Sequence, residues 1–216
     1  RRKLNYDLDE VYVSEILEDD DGSYVVISRG DATTLCFSRY SPDGEELYVH
    51  KTEMGKYGIW KSAHLGDGYV IQLGSHISTP DGEYSKIAML DHDGNITDTF
   101  SYDSDNYKYY IEEMMEFNGK LYISGYSVPK LKDHAHGTWG EIYGVLHSFY
   151  DEGMFLDIPE DKLTERLQEN YTAILLVCDP NDGTPKEFYS VRGSLGGKLS
   201  KKGSESLMWD VKGIMA

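Results

Sequence analysis

The sequence predicts an all-β chain: three propeller-blade-like, four-stranded antiparallel units, forming an incomplete or open propeller with one helical insertion. Three observations predict it. Short apolar runs alternate with tight turns rich in Asp, Asn and Gly. The same order of strand, Gly turn, strand, loop, strand, Gly turn, strand recurs three times. The chain holds 18 Tyr against 6 Phe and only 6 Pro, which suits half-exposed strands whose rings pack inward while the hydroxyls stay wet.

The whole chain, 1–216, reads as one β-repeat domain, with units at about 10–54, 55–106 and 107–192. In the first, Ile16 and Leu17 lead into the acidic turn 18–22, then into an apolar run starting at Tyr24. Leu35 to Phe37 follows, then a turn at Pro42, Asp43 and Gly44, then Leu47 to Val49. The second has Ile59 and Trp60, a turn at Gly66 to Gly68, and Tyr69 to Ile71. It continues with Ile87 to Leu90, a turn ending at Gly94, and Ile96 to Phe100. The third has Ile111 to Phe117, a turn at Asn118 and Gly119, and Leu121 to Gly125. It resumes with Ala173 to Val177, a turn ending at Gly183, and Phe188 with Tyr189. Such turns need a positive φ that glycine adopts without strain. The spacing assigns Gly22, Gly68 and Gly119 to equivalent first turns, and Gly44, Gly94 and Gly183 to equivalent second turns.

The second hairpins resemble the blade signature of quinoprotein-like and WD40-like β-propellers. There an apolar strand ends in Asp, turns through a Gly and resumes with an aromatic. The matching residues are Asp91 to Gly94 with Phe100, and Asp179 to Gly183 with Phe188; Tyr40 to Gly44 with Tyr48 is looser. The resemblance implies blade architecture over about 10–192 and does not point to any one activity, because propellers host many. Trp209 and Asp210, the one Trp-Asp pair, fall outside the three hairpins. No complete sialidase-type Asp-box and no pyrroloquinoline quinone signature is present. Residues 193–216 offer one or two further strands, with Ser206 to Val211 the clearest, and 4–13 offers another. The glycine-rich stretch 193–197 reads as a linker or turn.

Residues 127–171 interrupt the third unit. Asp157, Pro159 and Glu160 read as a capped helix start. Leu163 and Leu167 share one face, and the helix is expected to end near Asn170. Long insertions in regular scaffolds often carry function. The candidate ligand-binding residues are therefore His134, His136, Trp139 and Tyr150. His134 and His136, with Asp133 or His147, have the alternation that two metal ligands on a strand would need. A solvated loop explains them better, so no metal site is assigned. The Asp clusters at 19–21 and 91–93, with Asp103 and Asp105, invite calcium. They lack the EF-hand spacing and read as turn chemistry. Tyr102, Tyr107, Tyr109 and Tyr110 suit either sugar stacking or edge packing, and edge packing is the expectation.

Composition limits the partners. The net charge is −17, a field that repels nucleic acid and anionic membranes. No apolar run reaches the roughly 20 residues of a membrane span. Cys36 and Cys178 lie in apolar strands of different units and are expected to be free, buried thiols. The opening Arg1, Arg2 and Lys3, without Met, reads as a trimmed start that leaves room for a signal or anchor upstream. No nucleophile elbow, phosphate loop or zinc-protease helix occurs, and no cofactor is expected.

These readings lead to a non-enzymatic propeller-like recognition, sensor or scaffold domain. It is expected within a larger extracytoplasmic bacterial protein, with a protein or carbohydrate ligand. The alternative is a carbohydrate-active enzyme using acidic residues at one end of the blades. An inert structural fragment is the third reading.

Overall fold

The computed structural model describes residues 11–30, 34–55, 57–75, 86–102, 107–129, 172–192, 194–202, 204 and 206–213. All regular structure among them is β. The first blade is β1 (Val11–Glu18), β2 (Tyr24–Gly30), β3 (Thr34–Tyr40) and β4 (Glu46–Glu53). The second is β5 (Tyr57–Leu65), β6 (Gly68–Ser75), β7 (Lys86–Leu90) and β8 (Ile96–Ser101). The third is β9 (Tyr107–Phe117), β10 (Lys120–Pro129), β11 (Thr172–Cys178) and β12 (Pro185–Arg192). In each, four antiparallel strands pair in chain order. A two-stranded sheet, β13 (Ser194–Lys202) with β14 (Ser206–Gly213), follows.

The first strands of successive sheets lie beside one another: β1 against β5, β5 against β9, β9 against β13. This is a propeller-like arrangement whose inner strands flank a common axis. Among the described residues it does not close.

Burial follows position in the blade. The middle strands β2, β3, β7 and β11 are apolar on consecutive residues and almost wholly buried, as strands covered on both faces must be. The outermost strand β12 is exposed throughout. Val25, Ile27, Leu35 and Phe37 of the first blade pack on Tyr69, Ile71, Ala88 and Leu90 of the second. The other face of the second blade sends Val70, Ile87 and Met89 against Met114, Leu121, Ile123 and Leu176 of the third. The fully buried Phe37 alone contributes about 1.5–3 kcal/mol.

Five of the six assigned glycines have positive φ: Gly22, Gly44, Gly94, Gly119 and Gly183. Gly68 is the correction. It opens β6 and pairs with Leu65, while Gly66 carries the positive φ of +58° in a two-residue loop. Gly68 is needed for space instead, because a Cβ there would stand 2.1 Å from the Leu90 carbonyl oxygen. The 193–197 stretch is corrected too: β13 begins at Ser194, and a bulge between Ser194 and Gly197 absorbs the extra residue. Cys36 and Cys178 are buried thiols, not a disulfide. The expected helix near Pro159 lies outside the described residues.

The inner strands share a second regularity. Each has a β-bulge midway: at Ser14 in β1, Trp60 in β5 and Glu112 in β9. Each fourth strand has one as well, at Leu47, Thr97 and Lys186. Bulges bend a strand and re-aim the side chains beside them.

Candidate functional site

The turns joining first to second strands gather at one end of the axis. Between them lies a cleft of about 980 Å³. One wall is Leu17 to Asp21 of the first blade, and the opposite wall is Met114 to Asn118 of the third. Ser62 to His64 and Gly66 to Tyr69 of the second blade lie between, with Lys201 and Ser204 from the β13–β14 turn at the rim. Acidic side chains come from three blades: Glu18, Asp19, Asp20 and Asp21, then Asp67, then Glu116.

Asp19 is the organised carboxylate. Asp19 N–H donates to the Ser23 carbonyl and Gly22 N–H to the Asp19 carbonyl, closing the turn. Ser23 N–H donates to Asp21 Oδ1 at 2.8 Å. The Ser23 hydroxyl and N–H hold Asp21 below the ordinary carboxyl value. The turn points the Asp19 carboxylate at the seam between blades one and two. There Arg39 Nη2 donates to Asp19 Oδ2, and the Tyr69 hydroxyl donates to both Asp19 oxygens at 2.9 and 2.8 Å. Arg39 Nη2 also lies 3.1 Å from the Tyr69 hydroxyl, and Arg39 Nη1 contacts the His92 imidazole. Arg39 and Asp19 side chains are 5% and 14% exposed, so each charge depends on the other.

His64 Nδ1 lies 3.6 Å from Asp19 Oδ1, with its side chain 37% exposed toward the cleft. That is ion-pair reach rather than a hydrogen bond. A carboxylate on this side favours the tautomer protonated at Nδ1, leaving Nε2 to accept a proton. Its ring rests on Tyr69, centroids 5.4 Å apart. Across the cleft, Glu116 Oε2 accepts from Gly66 N–H at 2.7 Å, which orients a third-blade carboxylate by a second-blade turn. Tyr69 is not a nucleophile at neutral pH: burial pushes its phenol up to about 12, and Arg39 offsets only part of that.

His134, His136, Trp139 and Tyr150 lie outside the described residues, as do Asp133, His147, Asp103 and Asp105. The other acidic turns behave as expected of turns. Asp91 Oδ1 accepts the N–H groups of Asp93 and Asn95, and Asp179 Oδ1 accepts that of Asn181. Among the described residues no group of three His, Cys, Asp or Glu side chains is arranged to hold a metal. Tyr102 and Tyr110 are buried packing residues. The Tyr102 hydroxyl donates to the Gly183 carbonyl at 3.0 Å, and Tyr110 stacks on Tyr126.

Sequence reasoning missed Arg39, Tyr69 and His64. The available signal was Arg39 itself, a lone guanidinium in the otherwise buried run of β3, which a buried strand tolerates only with an acidic partner.

No family model and no curated protein matches the chain. Solved structures do. The hemagglutinin-neuraminidase of parainfluenza virus 5, with ligand DANA, aligns over 92% of this chain and 59% of its own. The TM-score is 0.50 and the identity 9%. A variant of the Synechocystis apocarotenoid oxygenase aligns over 87% of this chain and 39% of its own (TM-score 0.44, 14% identity). The lignostilbene dioxygenase of Pseudomonas brassicacearum aligns over 85% and 38% (TM-score 0.44, 14% identity). The chain spans less than two thirds of each. The neuraminidase likeness supports the propeller-like fold. All three are enzymes by name, which stands against the expectation of a non-enzymatic recognition, sensor or scaffold domain; at 9–14% identity the likeness itself shows the fold alone. That expectation rested on missing linear motifs. A blade repeat assembles side chains from turns about fifty residues apart and needs none.

Among the described residues, no helix is long and apolar enough to cross a membrane.

Proposed function

We propose that the acidic cleft is an active site that hydrolyses a carbohydrate. The observation that carries this reading is the Asp19 carboxylate, fixed by Arg39 and Tyr69 beside half-exposed His64, facing Glu116 across the cleft. Glycoside hydrolysis needs one group to protonate the leaving oxygen and another to activate water or attack the sugar. In this reading His64, oriented by Asp19, takes the proton from water. Glu116, protonated on Oε1 while Oε2 accepts from Gly66 N–H, supplies the acid from the opposite wall. Asp67, Asp20 and Asp21 accept hydrogen bonds from sugar hydroxyls. The −17 charge favours neutral over polyanionic glycans.

Within propellers, the Asp-led hairpins at Asp91 and Asp179 favour the quinoprotein-like and WD40-like group. The reading places the protein outside a bacterial cytoplasm, where polymeric glycans are met, as part of a longer enzyme.

The test is release of reducing ends from a panel of neutral glycans. His64→Ala, Asp19→Asn and Glu116→Gln should each lower kcat by about 10²–10⁴. Full activity in all three variants, or no hydrolysis of any glycan by the unmodified protein, rejects the reading.

A further inference from the structure

The acidic side chains of the cleft differ in how far the fold already occupies them. Asp19 is committed to Arg39 and Tyr69, and Glu116 to the Gly66 N–H. Glu18 and Asp20 of the first blade and Asp67 of the second also line the cleft, and all three are exposed. Among the described residues, none of these three carboxylates is hydrogen-bonded or ion-paired. Lys201, at the rim, is the one lysine or arginine among the described residues lining the cleft, and it has no ion pair among them. Three uncommitted carboxylates thus face a single ammonium. The walls of a cleft concentrate a field of one sign.

Ser62 adds a hydroxyl that the fold does not match. It lies two residues before His64 on β5, and no register shift falls between them. The two residues therefore share one face of the strand, with Cα atoms about 7 Å apart. Ser62 lines the cleft and is 9% exposed, and its Oγ has no hydrogen-bond partner among the described residues. Buried hydroxyls are normally matched, and this one can accept from a donor that enters beside His64. An ammonium has three donors and a positive charge, so it suits both the hydroxyl and the free carboxylates. A neutral hydroxyl suits the serine without answering the charge, and an anion is repelled.

We infer that the cleft selects glycans whose sugars carry free, protonated amino groups over the same glycans with those groups acetylated. The sugar rests on the carbohydrate reading of the cleft. The charge rests on Glu18, Asp20, Asp67 and Ser62.

The test is calorimetric titration at about pH 6, where amines are protonated and carboxylates ionised. The ligands are the β-1,4-linked glucosamine hexamer and its fully N-acetylated counterpart, which share a backbone and differ in charge. The glucosamine hexamer should bind about tenfold tighter, and the gap should narrow as salt rises. Asp20→Asn and Asp67→Asn should each weaken its binding about threefold. Asp43→Asn removes the same charge from an exposed turn that does not line the cleft, and should leave the affinity unchanged. Ser62→Ala should weaken the binding without lowering the urea midpoint. Equal affinity for the two hexamers, or a loss in Asp43→Asn as large as in Asp20→Asn, overturns the inference. Tighter binding of hexalysine than of the glucosamine hexamer overturns it as well, by marking a peptide site. Cleavage of the acetylated hexamer with no difference in affinity keeps the active site and rejects the selection. Preferential binding of the glucosamine hexamer with neither hexamer cleaved keeps the selection and rejects the catalytic reading.

Discussion

Arg39 and Asp19 show how one buried charge organises its surroundings. The guanidinium lies in β3 between two packed blades, where an unpaired charge is costly. Asp19, Tyr69 and His92 engage its two terminal nitrogens from three separate segments. Removing one partner leaves the other charged and dry. Asp19→Ala should therefore lower unfolding free energy by about 3 kcal/mol, read as a fall in the urea midpoint. Replacing both, as Asp19→Ala with Arg39→Met, should recover most of that loss. His64→Ala should change stability little, because its side chain is over a third exposed. That contrast separates a structural clamp from a proton carrier. Only the arginine half of this clamp was legible in the sequence. Asp19 read as one of three turn aspartates, and nothing local marks which of them faces an arginine twenty residues on.

The hairpins are where sequence spoke most clearly. An apolar run broken by Asp and Gly is a local signal, and the positive φ it requires is present at five of the six assigned glycines. It fails at Gly68 because Gly66, two residues earlier, also fits a two-residue loop. Period alone cannot choose between them; the close approach of Leu90 to Gly68 does. The bulges were illegible for a related reason: an extra residue in one strand shows only against its partner's register. The three glycines give a graded prediction by chemical denaturation. Gly44→Ala meets open space and carries only the cost of a left-handed alanine, about 1–2 kcal/mol. Gly94→Ala adds a clash, its Cβ 2.5 Å from the Phe37 ring. Gly68→Ala meets backbone, which cannot turn aside, and should be as costly as Gly94→Ala or more. Equal losses at all three sites would show that φ alone decides.

At the scale of the whole molecule, the repeat predicted the architecture, because each blade packs chiefly on its neighbours. Three blades and the β13–β14 hairpin follow one grammar, and the spacing alone revealed the three. The fourth sheet was seen only as one or two strands, since Gly196 and Gly197 hid the start of β13. The site eluded the sequence for the opposite reason. It belongs to no blade, and its side chains meet only when the first turns converge.

The two buried thiols give this modular build a measurable rhythm. Cys36 lies in the first blade and Cys178 in the third. Burial raises the Cys178 thiol to about 11, so at neutral pH little thiolate is available even when it is reached. Each reacts with an alkylating reagent only when its own blade opens. Trapping followed cysteine by cysteine therefore times the breathing of two blades independently, without any added probe. If the blades act as separate cooperative units, mild urea should accelerate the two cysteines by different factors. If the sheet stack opens as one body, both should share a single denaturant dependence. The outcome decides whether this chain unfolds as a set of leaves or as one page.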